Sequence, residues 1–224
     1  MRYLAILLFA MISLSPVFAG KGYIVNTIGS SQNSVSRKKL IQEVLDTKVM
    51  TFQYSALSIL IDANQVEPRG KMQWHTITLS ATIAKESEFL KLLIHELGHY
   101  VDIYFLITNS LKSDASSRFY DISWIDISTK RSNETLTSFV SGYASSNRYE
   151  DFAESFVFYI FHNREFADRA MKNDSLRQKY LFLSENIFPD WNFIDTDFRI
   201  GKMPNYLWDT TKIPISVKKY LYSL

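Results

Sequence analysis

The chain has 224 residues, no cysteine, a formal net charge of +2, and 46% hydrophobic and 15% aromatic residues. That composition belongs to a globular protein with an aromatic-rich interior, and it excludes a disulfide framework and a cysteine-linked lipid anchor. The Lys and Arg residues are dispersed with no long basic block, which argues against nucleic acid as a partner.

Met1-Arg2-Tyr3 gives a short positive start, Leu4 to Leu14 is an apolar run, and Val17 and Ala19 stand at the −3 and −1 positions before Gly20. Residues 1–19 therefore read as a signal peptide, cleaved after Ala19 and shorter than the ~20 apolar residues that span a bilayer, with an uncleaved anchor as the alternative. An exported, bacterial protein follows as the expectation, periplasmic or secreted, with no membrane association after cleavage. The remaining 205 residues (224 − 19) carry a net charge of +1 once Arg2 is gone and suit one domain, 20–224, with a tail from about residue 191.

Gly20 to Ser36 is polar and glycine-containing and reads as an irregular lead-in. Leu40, Ile41, Val44 and Leu45 recur at helical spacing, predicting a helix over 37–49. Ser58 to Ile61 and Trp74 to Leu79 read as strands, with Asn64 to Lys71, containing Pro68 and Gly70, as the turn or loop between them. His75, alone in an alternating segment, reads as a surface or packing histidine.

Ala84 to about Leu106 carries the most informative stretch, Leu92-Leu93-Ile94-His95-Glu96-Leu97-Gly98-His99-Tyr100-Val101-Asp102. Residues four apart share a helix face, so His95 and His99 can grip one divalent ion while Glu96 points to the same side, the H-E-x-x-H zinc pattern. The flanking residues are apolar nearly all round, which predicts a buried helix whose two imidazoles and carboxylate need partners. Gly98 costs ~1 kcal/mol of helix propensity, which predicts close approach by another element, such as the one bringing a third ligand.

A catalytic zinc site takes three protein ligands and a water. The extended pattern with Gly and a third His three and six residues after His99 is excluded, because Asp102 and Phe105 stand there. His162 is one candidate. Another lies in Ser141-Gly142-Tyr143-Ala144-Ser145-Ser146-Asn147-Arg148-Tyr149-Glu150-Asp151-Phe152-Ala153-Glu154-Ser155-Phe156, a turn running into an amphipathic helix. Glu150 and Glu154 share a face there; by spacing alone they are equally a ligand with its supporting carboxylate or a solvated acidic pair at a helix N-terminus. Phe119 to Trp124 is an aromatic cluster that either lines a substrate cleft or closes the core, the second being the favoured reading. Ala170 to Asn186 reads as a packing helix, and the tail carries no motif and lies against the domain.

HELGHYVD together with GYASSNRYEDFAESF resembles the gluzincin zinc metallopeptidases of the anthrax lethal factor type, which include Pro-Pro endopeptidases. The arrangement spans roughly residues 72 to 190, with its specific matches confined to those two segments. The resemblance implies an α+β fold, a mostly helical zincin-like metallopeptidase domain with a small β-sheet whose edge strand precedes the zinc helix. It also implies one Zn2+ held by His95, His99 and Glu150, Glu96 as general base, Tyr143 facing the developing oxyanion or leaving group, and supporting positions at Glu154 and Asp102. The expected activity is hydrolysis of a protein or peptide substrate, with cell-wall peptides as an alternative substrate and a non-catalytic zinc-binding protein as the other reading.

Overall fold

Alternation of apolar side chains sets the sheet. Leu57, Ile59 and Ile61 on β2 (Leu57–Asp62) and Ile77 and Leu79 on β4 (Thr76–Ser80) are fully buried, with Ile59 opposite Ile77 and Ile61 opposite Leu79. These are the strands that carry a period-2 signal. The computed structural model describes residues 22–47, 56–106, 114–189 and 195–223; the proposed leader over 1–19 lies outside them, as does the start of the tail at Trp191.

Two further strands stand where the sequence reads as irregular. β1 (Tyr23–Ile28) falls inside the expected lead-in and runs parallel to β2; β3 (Gly70–Gln73) falls partly in the expected loop and pairs antiparallel with β4. Both are sheet edges in the order β1-β2-β4-β3. Val25 is the one buried residue of β1, and β3 is only four residues long, so neither displays a hydrophobic pattern. The strand immediately before the histidine helix, β4, is therefore interior, and the edge strand is β3, one hairpin arm earlier. Trp74 and His75 form the hairpin turn, Trp74 with a φ of 55° and largely exposed. His75 packs flat on Tyr104 at 4.1 Å between ring centroids.

Helix α1 (Ser34–Leu45) lays Leu40, Ile41, Val44 and Leu45 on the core, and its buried Arg37 donates to the carbonyls of Ser80, Ala81 and Ile83. Helix α2 (Glu86–Tyr100) is buried along nearly its whole length, as its apolar circumference predicts, and continues into a π-helical turn over Val101–Phe105. Helix α3 (Ala115–Ser123) packs Phe119 and Tyr120 inward, with Trp124 just beyond it, so this aromatic cluster closes the core. Helices α4 (Arg148–Phe161), α5 (Asn163–Ala170) and α6 (Asp174–Asn186) follow, and a short α7 (Val217–Tyr222) ends the described chain. The fold is α+β, with one apolar core shared by sheet and helices. Among the described residues no helix is long and apolar enough to cross a membrane.

Candidate metal centre

The site is built where α2 crosses α4. Gly98 is the reason the crossing is close: a Cβ there would lie 3.1 Å from Ala153 Cα and 3.4 Å from Phe156 Cβ, both on α4. The approach expected from the sequence is thus made by the helix that carries Glu150. Asn147 starts that helix by accepting from the backbone N–H groups of Tyr149 and Glu150 at 3.0 and 3.1 Å, which puts Glu150 in the first turn. The neighbouring Asp151 anchors the same turn. It pairs with Lys179 at 2.8 Å and accepts from Trp124 Nε1 at 2.9 Å, and both ionic partners are fully buried.

His95 and Glu96 are buried and His99 half-buried. Glu150 Oε2 lies 3.1 Å from His95 Nε2 and 3.5 Å from His99 Nε2. One donor atom from each of the three falls within 4.8 Å of the others, a group that can hold a metal ion. The local field calls for positive charge at this point. Burial opposes the charged form of His95, but Glu150 and Glu154 outweigh it and hold the ring well above the usual histidine range. Burial likewise opposes ionised Glu150, and the two histidines outweigh it, holding its carboxyl far below the usual range. Glu96 is pushed up, chiefly by burial.

Behind His95, Glu154 is saturated. Its Oε1 accepts from His95 Nδ1 at 3.1 Å and Thr210 Oγ1 at 2.8 Å; its Oε2 accepts from Ser141 Oγ at 2.5 Å and the Thr210 backbone N–H at 2.8 Å. The acidic pair of the sequence is therefore no solvated pair: Glu150 meets the histidines and Glu154 orients one of them. Asp102 sits in the π-helical turn, fully buried, its Oδ2 accepting the Tyr120 hydroxyl and its Oδ1 without a hydrogen-bond partner. Burial raises its carboxyl to about 6 against the opposing effects of Ser116, Tyr120 and, more weakly, the charge of His99.

Tyr143 closes the open side. Its ring lies 6.1 Å from that of His95, centroid to centroid, at 24°, and burial together with Glu150 raises its hydroxyl pKa, so the proton is firmly held. The Tyr143 turn is pinned by the tail: Gly142 N–H donates to Leu207 O at 2.8 Å and Tyr143 N–H to Trp208 O at 2.6 Å. Any side chain at 142 would collide with Trp208 and Tyr206, its Cβ falling 2.5 and 2.6 Å from them. Across the site, Gly70 on β3 lies against Glu96, where a Cβ would be 2.5 Å from Oε1. Two cavities share Gly70, His95, Glu96 and Tyr143. One of about 190 Å³ runs toward Pro68, Arg69 and Trp208, and one of about 310 Å³ toward Met72, His99 and Ile103. Together they form a cleft beside β3 with the histidines at its middle.

His162, the other candidate ligand, is not in this group. It is fully buried, 3.8 Å from Asp197 Oδ1, and neither ring nitrogen has a hydrogen-bond partner. What sequence reasoning missed is the tail: Trp208, Asp209, Thr210 and Thr211 line or support the site. Their one local signal is Asp209, which caps a turn of 3-10 helix (Thr210–Lys212). No family model matches the chain, and no curated protein matches it at a significant level.

Proposed function

We propose that the protein is an exported zinc-dependent endopeptidase of zincin-like fold, cleaving peptide bonds in the cleft beside β3. The observation that carries this reading is the meeting of His95, His99 and Glu150 at one point with Glu96 and Tyr143 on its open side. Zinc is the ion the donors suit. Two imidazole nitrogens and one carboxylate oxygen form a common catalytic set, and a tetrahedral ion with bonds of 2.0–2.1 Å separates its ligands by about 3.3 Å. The two separations from Glu150, 3.1 and 3.5 Å, bracket that value, and all three donor atoms lie within 4.8 Å of one another.

When bound, zinc supplies a Lewis acid and acidifies the attacking water. Glu96 takes the water's proton and passes it to the leaving nitrogen, and its burial suits it to hold a proton between the two transfers. Tyr143 donates its retained proton as a hydrogen bond to the charge that forms on the carbonyl oxygen. Glu154 keeps the His95 proton on Nδ1, so that Nε2 presents a lone pair. The short edge strand β3 offers backbone groups to an extended peptide, and Gly70 lets that backbone come within reach of Glu96.

The test is hydrolysis of casein and of purified peptidoglycan, each with and without chelator, by the wild type and by Glu96→Gln. The expected result is chelator-sensitive cleavage of casein, and a variant that keeps its metal but loses at least a hundredfold in rate. Near wild-type cleavage by Glu96→Gln would remove Glu96 as the base, and cleavage of peptidoglycan alone would redirect the substrate to cell-wall peptides.

A further inference from the structure

We infer that Thr210, from the tail, is a positioning residue of the metal centre, acting through Glu154 on His95; the inference rests on the metal-site reading above. An ionised carboxylate offers about four good acceptor positions, and all four on Glu154 are taken. Thr210 supplies two of the four donors, one to each oxygen, from its backbone N–H and its hydroxyl. It therefore fixes the carboxylate against rotation about its last bond. A carboxylate so fixed holds one acceptor on the His95 Nδ1–H, which sets both the tautomer and the ring orientation that Nε2 needs toward a cation.

Thr210 is itself held firmly enough to do this. The fully buried Lys91 of α2 donates its Nζ to the carbonyl of Thr210 at 2.7 Å and to that of Ile213. Asp209, one residue earlier, accepts from Thr211 N–H at 2.8 Å and pairs with Arg69 at 2.5 Å. Thr210 is fully buried beneath these contacts. The helix that presents His95 thus grips, through Lys91, the segment that steadies the carboxylate behind His95.

The experiment measures Zn2+ affinity of the full chain by competition with chelators for wild type, Thr210→Val, Thr210→Ala and Thr210→Ser, with melting temperatures of the chelator-stripped proteins. Valine keeps the shape and removes the hydroxyl; serine keeps the hydroxyl. The expected result is a tenfold or greater loss of affinity in Thr210→Val and recovery to within about threefold in Thr210→Ser. The Co2+-substituted proteins should show an altered visible spectrum in Thr210→Val and Thr210→Ala and not in Thr210→Ser. Wild-type affinity in Thr210→Val, or equal losses in the valine and serine variants, would overturn the inference while leaving the metal site standing. If Thr210→Val does not fold, Thr210→Ala against Thr210→Ser gives the same decision. A wild type that binds no Zn2+ overturns the metal-site reading along with this one.

Discussion

Gly98→Ala tests whether the helix crossing is spaced for the metal or only for packing. Alanine is favoured over glycine in a helix interior by about 1 kcal/mol, so on propensity alone the substitution stabilises the protein. The added Cβ would sit 3.1 Å from Ala153 Cα, a backbone atom that moves only with its helix. Carbon contacts relax to 3.5–4.0 Å, so α4 must retreat by roughly half an ångström. Overpacking of this kind costs about 1–3 kcal/mol, which leaves a net effect between neutral and about 2 kcal/mol destabilising. Glu150 lies three residues from Ala153 on the same helix and moves with it, whereas metal–ligand distances tolerate only about 0.2 Å. The metal site should therefore suffer more than the fold. Urea unfolding of the stripped protein and chelator competition on the loaded one measure the two effects separately, with a fall in Zn2+ affinity of at least tenfold expected. An alanine variant that is more stable and keeps wild-type affinity would refute the argument, because Gly98 would then have no spacing role.

Replacing Glu150 by Ala should strip the metal on dialysis, read by elemental analysis; unchanged content would remove Glu150 from the ligand set. In the proposed role of Tyr143 its hydroxyl acts on charge absent from the bound substrate, so Tyr143→Phe should lower kcat by about a hundredfold or more with little change in KM. His162 sets an acid limit on stability, because burial holds its pKa down to about 4 against 6.5 for a free histidine. The unfolded chain binds the extra proton between those values, so stability is lost as pH falls from about 6.5 toward 4 and is unaffected above that window. Relative to His162→Phe, the chelator-stripped wild type should lose about 2 kcal/mol between pH 6.5 and 4.5 in chemical denaturation, and a constant difference would contradict the buried neutral ring.

The parts of the site that could be read from the chain are those with local causes. His95, Glu96 and His99 share a face by helix geometry, the apolar surround of α2 predicts its burial, and Gly98 points to a close neighbour that turns out to be α4. The turn running into a helix that carries Glu150 and Glu154 is legible too, whereas its cap, Asn147, is seen only in the structure. What stayed hidden depends on partners far away in sequence. β1 and β3 are edges whose pairing comes from β2 and β4, with too few buried residues of their own to show a period. The tail meets the site through a backbone N–H, one hydroxyl and carbonyls gripped by Lys91, groups that most segments possess and that leave no pattern. Lys91 itself looks like an ordinary solvated residue on a helix until its fully buried amine is seen.

The cap on Glu154 comes from 56 residues downstream of it. Half of the donors to that carboxylate belong to a segment so distant in sequence that they arrive only when the tail closes back on the helices. Before that closure, two of the four acceptor positions of the carboxylate behind His95 are unfilled by protein. A loosening of the C-terminal segment would therefore be felt at His95 without any change in α2 or α4 themselves.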